Sequence, residues 1–306
     1  MVFHIVVNPA GASGKAWKLY QSLEPLFHVT EYKLHKSTRT KGIGDICREL
    51  TSRGEETALV IIGGDGTMNE AVNGIADFAR TRVAFVPCGT GNDLERDMDI
   101  PKNKDDIILR MLDGEVKRTT DIGELTFHGS DGDIVRKFNI SSDIGFGAAT
   151  CAYANRSKLK PLLNRIGLGK LIYLIEAVKV CFTAKPAAVE IICDGEKTSY
   201  SQCLCAIAMN HCYEGGGFKF CPNADFTDGK LDLCVGDGLS HPEFLRMLPN
   251  AYKGTHLRLR GISELRGERF EMRSAEPLWV HTDGEVLGRS DHVSMRILPE
   301  KLRLMI

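Results

Sequence analysis

The first third of the chain alternates two apolar patterns. Phe3 to Val7 is a continuous β-rich run that stops at Asn8-Pro9, and Ala58 to Ile62 is a second run with no polar interruption. Val83 to Val86, just before Pro87, is a shorter one, and Val29 to Leu34 reads as a further strand. Between these runs the apolar spacing turns helical: Trp17, Tyr20 and Leu23 within Ala16 to Leu26, then Ile43 to Arg53 closed by Gly54, then Met68 to about Ala79. Strands that are apolar on both faces and alternate with helices predict a parallel sheet covered on both sides, a doubly wound α/β arrangement.

The rhythm changes after about Ile122. Thr120 to Phe127, Val135 to Ser141, Ala188 to Cys193, Tyr200 to Met209, Lys230 to Val235, Glu268 to Arg273, Leu278 to Thr282 and His292 to Leu298 read as strands. Turn signals separate them, among them Asp194-Gly195, Asp228-Gly229 and Asp283-Gly284. This predicts an antiparallel β domain over residues 123–292, interrupted by helical inserts at about Ala148 to Phe182 and Pro242 to Tyr252. Residues 1–122 form the α/β domain, with 293–306 available to complete it. At roughly 150 residues per domain, 306 residues suit two.

Composition narrows the function. Lys plus Arg number 39 and Asp plus Glu 40, so there is no basic excess for generic nucleic-acid binding, and two Trp make no base-stacking platform. Runs such as Leu171 to Ile175 are far too short for a bilayer of about 30 Å. Met1 to Val7 reads as a strand rather than a secretory leader. The ten cysteines contain no Cys-x-x-Cys pair, which points to free thiols in a reducing, cytoplasmic setting. His35, His211 and His281 lack metal-ligand spacing and read as structural.

Candidate chemistry sits where strands hand over to helices. Gly63-Gly64-Asp65-Gly66-Thr67 follows a buried strand and opens a helix. Glycines there let a phosphate approach the main chain, and the unpaired N–H groups of a helix start suit an anion. Asp65 repels bare phosphate, so a carboxylate at this tip makes sense with Mg²⁺ between them. The alternative is a tight turn capped by Asp65 and Thr67. Pro87-Cys88-Gly89-Thr90-Gly91-Asn92-Asp93 repeats the arrangement, and Asn8-Pro9-Ala10-Gly11-Ala12-Ser13-Gly14-Lys15 is a third loop, though not a Walker A sequence. Gly145-Phe146-Gly147 and Gly42-Ile43-Gly44 are incomplete as dinucleotide fingerprints. Loops at the carboxyl ends of neighbouring parallel strands share one crevice, where open α/β sheets bind ligands.

Taken together, GGDGTMNEAVNGI, GTGND, the opening VNPAGASGK, the late DGE and MNHCYEGGGFKFCPNADFTDGKLDL resemble the diacylglycerol kinase catalytic-domain family. That family takes in bacterial soluble diacylglycerol and lipid kinases and the sphingosine and ceramide kinases; the likeness spans nearly the whole chain. NAD kinases and phosphofructokinases share the Gly-Gly-Asp-Gly loop alone. The resemblance implies an NAD kinase-like α/β nucleotide domain and a C-terminal β-sandwich, with ATP in the cleft between them. It implies nucleotide contacts from Asn8, Ser13 and Thr40, phosphate contacts from Gly63, Gly64, Gly66, Thr67 and Thr90, and an Mg²⁺ and water network on Asp65, Asp93 and Asp121. Glu285 takes the family position of the general base, although Asp283-Gly284-Glu285 on its own reads as a hairpin turn. Asp225, Asp228 and Lys230 match a loop that holds a structural Mg²⁺, through the Asp228 carboxylate and the other two carbonyls; a plain β-turn is the alternative.

The implied activity is γ-phosphoryl transfer from ATP to a lipid hydroxyl, with diacylglycerol giving phosphatidate. A sphingoid base, phosphatidylglycerol or a polyprenol is the alternative acceptor, and an NAD kinase the more distant one. Arg156 to Lys179 interleaves basic and aliphatic residues, as either a dock on an anionic membrane surface or an ordinary helix pair. The expectation is a cytoplasmic protein, peripheral at the inner membrane face, with room for a homodimer.

Overall fold

The computed structural model describes residues 2–89, 91–130, 132–159, 163 and 171–306. They form two compact units, one running to Ile122 and regaining Leu298–Ile306, the other Gly123–Ile297.

The first unit is built on strands β1 (Phe3–Val7), β2 (Tyr32–Lys36), β3 (Thr57–Gly63), β4 (Thr81–Pro87), β5 (Arg118–Thr120) and β15 (Leu302–Leu304), ordered β2-β1-β3-β4-β15-β5. β1 pairs in parallel with β2 and β3, β3 with β4, and β4 with β15; only β5 runs antiparallel. Every residue of β3 is buried, as its unbroken apolar sequence requires. The helices are α1 (Lys15–Phe27), α2 (Ile43–Thr51), α3 (Asp65–Gly74), α4 (Asp93–Asp97) and α5 (Lys104–Met111). α1 packs with α5 and α2 with α3. Right-handed crossovers from β1 to β2 and from β2 back to β3 run in opposite directions, which puts α1 on one face and α2 and α3 on the other.

The second unit is a nine-stranded antiparallel assembly: β6 (Gly123–Gly129), β7 (Gly132–Phe138), β8 (Ser141–Gly145), β9 (Ala187–Cys193), β10 (Glu196–Met209), β11 (Leu231–Asp237), β12 (Ile262–Gly267), β13 (Arg269–Thr282) and β14 (Glu285–Ile297). Two long strands make it a double layer. β10 and β13 each pair with β9 along their first halves and with β8 along their second, with irregularities at Tyr200/Cys203 and Arg273/Leu278. Such bulges bend a strand from one layer into the next. The enclosed core includes Phe138, Ile191, Val280, Phe270 and Val293. Helices α6 (Phe146–Arg156), α7 (Leu171–Thr183) and α8 (His241–Lys253) are inserted between strands.

Several boundaries differ from the apolar pattern. The expected strand Val135 to Ser141 is two strands, because the backbone N–H groups of Asn139, Ile140 and Ser141 turn to the Asp283 carboxylate instead of a ladder. Glu268 to Arg273 and Leu278 to Thr282 are one bulged strand. Residues 293–297, expected with the first unit, pair with β6 in the second. α3 starts at Asp65 rather than Met68 and ends at Gly74. Part of the expected insert, residues 160–162 and 164–170, lies outside the described residues.

Candidate active site

Four loops leave the same edge of the first unit. Val7 pairs in register with Lys36 and Ile62, and Gly63 with Pro87, so β1 to β4 all end level at their carboxyl termini. The segments that follow hold Asn8 and Ser13, Thr40, Gly64 to Thr67, and Gly89 to Asp93. Most of the nucleotide-site residues expected from sequence therefore gather at one sheet edge; Thr90 lies outside the described residues.

The two glycine loops touch through their backbones. A Cβ built on Gly89 would stand 2.8 Å from the Gly64 Cα, and one on Gly64 would stand 3.1 Å from the Gly89 Cα. No side chain fits at that crossing. Gly63 ends β3, and its carbonyl accepts the Cys88 N–H at 2.8 Å, which carries the sheet register into the second loop. Gly66 has no atom within 4 Å of its Cβ position, so the first turn of α3 stays open on that side. The Gly64 carbonyl accepts the N–H groups of Thr67 and Met68.

Asp65 reaches across this junction. Its Oδ2 accepts the Asp93 backbone N–H at 3.2 Å and stands 3.0 Å from the Cβ position of Gly91. Asp93 is buried and paired with Arg96 at 2.6 Å. Asn92, left-handed at φ 52°, donates to Glu95 at 2.7 Å while its Oδ1 is buried without a hydrogen-bond partner. Asp121, expected in the same network, is not at this junction: Thr120 before it pairs with Leu302, β15 lies level with the first residues of β4, and Asp121 therefore stands at the amino edge of the sheet, fully buried and paired with Lys301 at 2.5 Å.

The loops after β1 and β2 are shaped by strain and by short-range hydrogen bonds. Ala12, Ser13 and Gly14 are consecutively left-handed ahead of α1, a conformation non-glycine residues hold only at a cost. Asn8 anchors the entry by accepting the N–H of Ala10 on its Oδ1 at 3.0 Å and that of Gly11 on its carbonyl at 2.9 Å. Thr40 is exposed in a turn organised by the Thr38 hydroxyl, which accepts from the N–H of Thr40 and of Lys41.

In the second unit, Asp283 and Gly284 form the two-residue turn between β13 and β14, both with positive φ. The Asp283 carboxylate accepts the N–H of Asn139 at 2.8 Å and those of Ile140 and Ser141 at 2.9 Å. Asp283 thus anchors the turn and leaves Glu285 projecting, half-exposed, with Arg136 at 3.9 Å. Beside Glu285 lies an open cleft of about 370 Å³, lined also by Ala152, Asn155, Arg156 and Val286. The Arg156 guanidinium sits over the Trp279 ring at 5.0 Å.

The Asp225–Lys230 loop closes on itself. The Asp225 carboxylate accepts from the Thr227 N–H and hydroxyl; the Asp228 carboxylate accepts from the Lys230 N–H at 2.9 Å and pairs with Arg266. Both Asp228 oxygens are engaged, one by the Lys230 N–H and the other by Arg266. Among the described residues no group of three or more His, Cys, Asp and Glu side chains has metal-binding proximity. At the Asp65 junction the donor set is hard oxygen, with the orphaned Asn92 Oδ1 beside it, and this suits Mg²⁺ completed by water and phosphate.

Sequence reasoning passed over Ser141 and Asp143, which lie buried behind the Asp283–Glu285 turn, and Glu214, which is partly exposed beside them. No local pattern marks Ser141 and Asp143, since β8 itself was not expected; Glu214 lies within the MNHCYEGGGFKF segment of the family resemblance. Asn92 and Arg96 had a signal, adjacent to or within GTGND.

A sheet edge with two glycine loops in backbone contact and paired aspartates has the form of a polyphosphate site, and here the chain also carries an antiparallel β unit. Residues 2–125 match the family model described as diacylglycerol kinase catalytic domain, and residues 141–306 match that described as YegS C-terminal NAD kinase beta sandwich-like domain. The chain belongs to the diacylglycerol kinase catalytic-domain family. It is 28% identical over 262 residues to a diacylglycerol kinase of Bacillus subtilis, covering 84% of this chain and 80% of that one. A diacylglycerol kinase of Mycobacterium tuberculosis is 28% identical over 229 residues, 74% of this chain and 70% of its own. The crystal structure of a diacylglycerol kinase from Bacillus anthracis matches the fold with a TM-score of 0.68 at 19% identity, over 99% of this chain and 96% of that one.

Proposed function

We propose that the protein is an ATP- and Mg²⁺-dependent lipid kinase that transfers the γ-phosphate of ATP to the hydroxyl of diacylglycerol. The observation that carries this reading is the junction at Asp65, where two glycine loops meet and two aspartates adjoin at the carboxyl edge of a parallel sheet. The N–H groups opening α3, with the Thr67 hydroxyl, hold phosphate oxygens; Asn8, Ser13 and Thr40 contact the nucleotide from the neighbouring loops. Asp65 and Asp93 would hold Mg²⁺ and its waters, and the ion, when bound, neutralises charge on the phosphates; Asp121, at the amino edge of the sheet and tied to Lys301, holds no part of it. In the second unit the Asp228 carboxylate, with the carbonyls of Asp225 and Lys230, would hold a structural ion in place of Arg266.

The acceptor hydroxyl is a poor nucleophile at neutral pH. As its oxygen bonds to the γ-phosphorus and the bridge to the β-phosphate breaks, the Glu285 carboxylate takes the proton and ADP leaves. The cleft beside Glu285 admits the hydroxyl end of the lipid.

The acceptor lives in a bilayer, and α7 offers a face for one. Leu171, Leu174, Val178 and Phe182 recur at helical spacing and are exposed. A peripheral stay on the anionic inner face of the cytoplasmic membrane fits this stripe. No helix among the described residues is long and apolar enough to cross a membrane.

The test is purified protein with labelled ATP and a panel of diacylglycerol, sphingosine, phosphatidylglycerol, undecaprenol and NAD, the lipids in mixed micelles. Labelled phosphatidate is the expected product. Another labelled lipid moves the acceptor, labelled NADP overturns the lipid reading, and ATP binding without any labelled product overturns catalysis.

A further inference from the structure

Behind the Asp283–Glu285 turn lies a buried polar group that the phosphoryl-transfer scheme does not use. His281 is the next-to-last residue of β13 and fully buried. Its Nδ1 accepts the Gly284 N–H at 3.2 Å. An accepting Nδ1 carries no proton, so the ring's proton is on Nε2. Nε2 faces two carboxylates, Asp143 Oδ2 at 3.8 Å and Glu214 Oε1 at 3.7 Å. Burial holds the imidazole down at about 4, so the ring is neutral across the range in which a kinase works.

Asp143 lies directly opposite His281 in the β8–β13 ladder and is also fully buried. It accepts the backbone N–H groups of Gly147 and Ala148, in the first turn of α6. The fit is close: a Cβ on Gly147 would stand 1.8 Å from Asp143 Oδ2, so only glycine lets the carboxylate reach the helix. Glu214 is held in turn by the Ser141 hydroxyl at 2.5 Å.

These bonds, with the β8–β13 ladder between them, tie together two elements that line one cleft. α6 supplies Ala152, Asn155 and Arg156 to the cleft beside Glu285, and its first turn is tied to Asp143. The β13–β14 turn supplies Glu285 and Val286, and its inner N–H is tied to His281. We infer that His281, paired across the ladder with Asp143, is a positioning residue that sets where Glu285 stands against the α6 wall of the acceptor cleft. This rests on the reading of Glu285 as proton acceptor. His281 exchanges no proton in the reaction; it fixes the backbone from which the carboxylate projects.

A cycle of His281→Leu, His281→Asn and Glu285→Gln tests it, with diacylglycerol in mixed micelles. Misplacing a general base by a fraction of an ångström predicts a fall in kcat of about 10- to 100-fold for His281→Leu, with KM for ATP within about twofold. Asn places an acceptor where Nδ1 stood, so His281→Asn recovers to within about fivefold of the parent chain. His281→Leu adds nothing in the Glu285→Gln background, since the group being positioned is gone. Multiplying effects, an equal rise in KM for ATP, or no rescue by Asn each overturn the inference.

A second readout separates this from the reading it rests on. By NMR, amide exchange at Gly284 accelerates in His281→Leu and not in His281→Asn. If Glu285→Gln keeps full kcat, the proton-acceptor role falls and with it the positioning role. If Glu285→Gln is impaired but Gly284 exchange is unchanged in His281→Leu, only the positioning role falls. Should His281→Leu not fold, Asp143→Asn takes its place: its amide still accepts from α6 but offers an altered face to Nε2, and an unmoved Gly284 amide there overturns the inference.

Discussion

The two units carry their chemistry by different means. In the first, the candidate site is made of backbone: glycine turns crossing at Gly64 and Gly89, helix-start N–H groups, and carboxylates placed by those turns. In the second it is one half-exposed side chain, Glu285, held on a two-residue turn by buried polar groups from strands distant in sequence. A backbone site is specified by which residues are absent, because any Cβ at the crossing collides. A side-chain site is specified by what stands behind it. The comparison predicts that substitutions in the first unit act on nucleotide and chemistry together, and those in the second on chemistry alone.

The largest effect is expected at Asp65. Removing a carboxylate proposed to place Mg²⁺ against the phosphates predicts that Asp65→Ala lowers kcat by about 10³-fold or more, with the fold intact by circular dichroism. Activity near the parent's would remove the metal from this junction. Next comes Glu285→Gln, which keeps shape and loses the proposed proton acceptor. A loss of about 10²- to 10³-fold in kcat with ATP affinity unchanged by calorimetry sharpens the contrast. Equal loss of ATP affinity would erase it.

That contrast also governs what was legible in the sequence. Gly63-Gly64-Asp65-Gly66-Thr67 and Gly89 to Asp93 announce themselves because a strand, a glycine turn and a helix start follow one another within a few residues. The apolar runs of β1, β3 and β4 mark the buried parallel sheet for the same local reason. Nothing local marks β8: Ser141, Ser142 and Asp143 are polar, and only pairing with β10 and β13 makes them a buried strand. His281 reads as structural from its spacing, and its relation to Gly284 and Asp143 depends on a turn and a ladder that only the folded chain brings together. The ion pair between Arg266 and Asp228 joins residues far apart in sequence, so the metal-loop resemblance carried no hint of it.

The third prediction tests whether the glycine crossing is as tight as its geometry. Gly89→Ala brings a methyl to 2.8 Å from the Gly64 Cα and 3.0 Å from Asn92 Oδ1. Since the first obstacle is backbone, the loops must part, which predicts a loss of about 1–3 kcal/mol in urea unfolding and an ATP affinity reduced about tenfold. A stable variant with parental ATP affinity would mean that the loops are not held by this contact.

The smallest effect is a pH dependence confined to the second unit. His281 has its pKa lowered to about 4 by burial, against 6.5 for an exposed histidine, and Asp143, facing it, is pushed well above the usual carboxylate range by burial and by Glu214. For His281 the unfolded chain binds the proton more readily than the folded one. Its neutral form therefore favours the fold fully above about pH 6.5, and that contribution is lost as pH falls towards 4. A shift of this size corresponds to on the order of 3 kcal/mol, part of which the opposing Asp143 dependence offsets in the parent chain. Asp143 acts with the opposite sign, because a raised carboxyl favours the fold at low pH and weighs against it as pH rises through its folded value. The two dependences oppose each other in the parent chain. Comparing His281→Asn with the parent by urea unfolding at pH 4.5 and pH 7 isolates the histidine: the variant loses less stability on acidification. If both lose equally, the ring is not excluded from protonation, and the buried scaffold behind Glu285 is wetter than its packing implies.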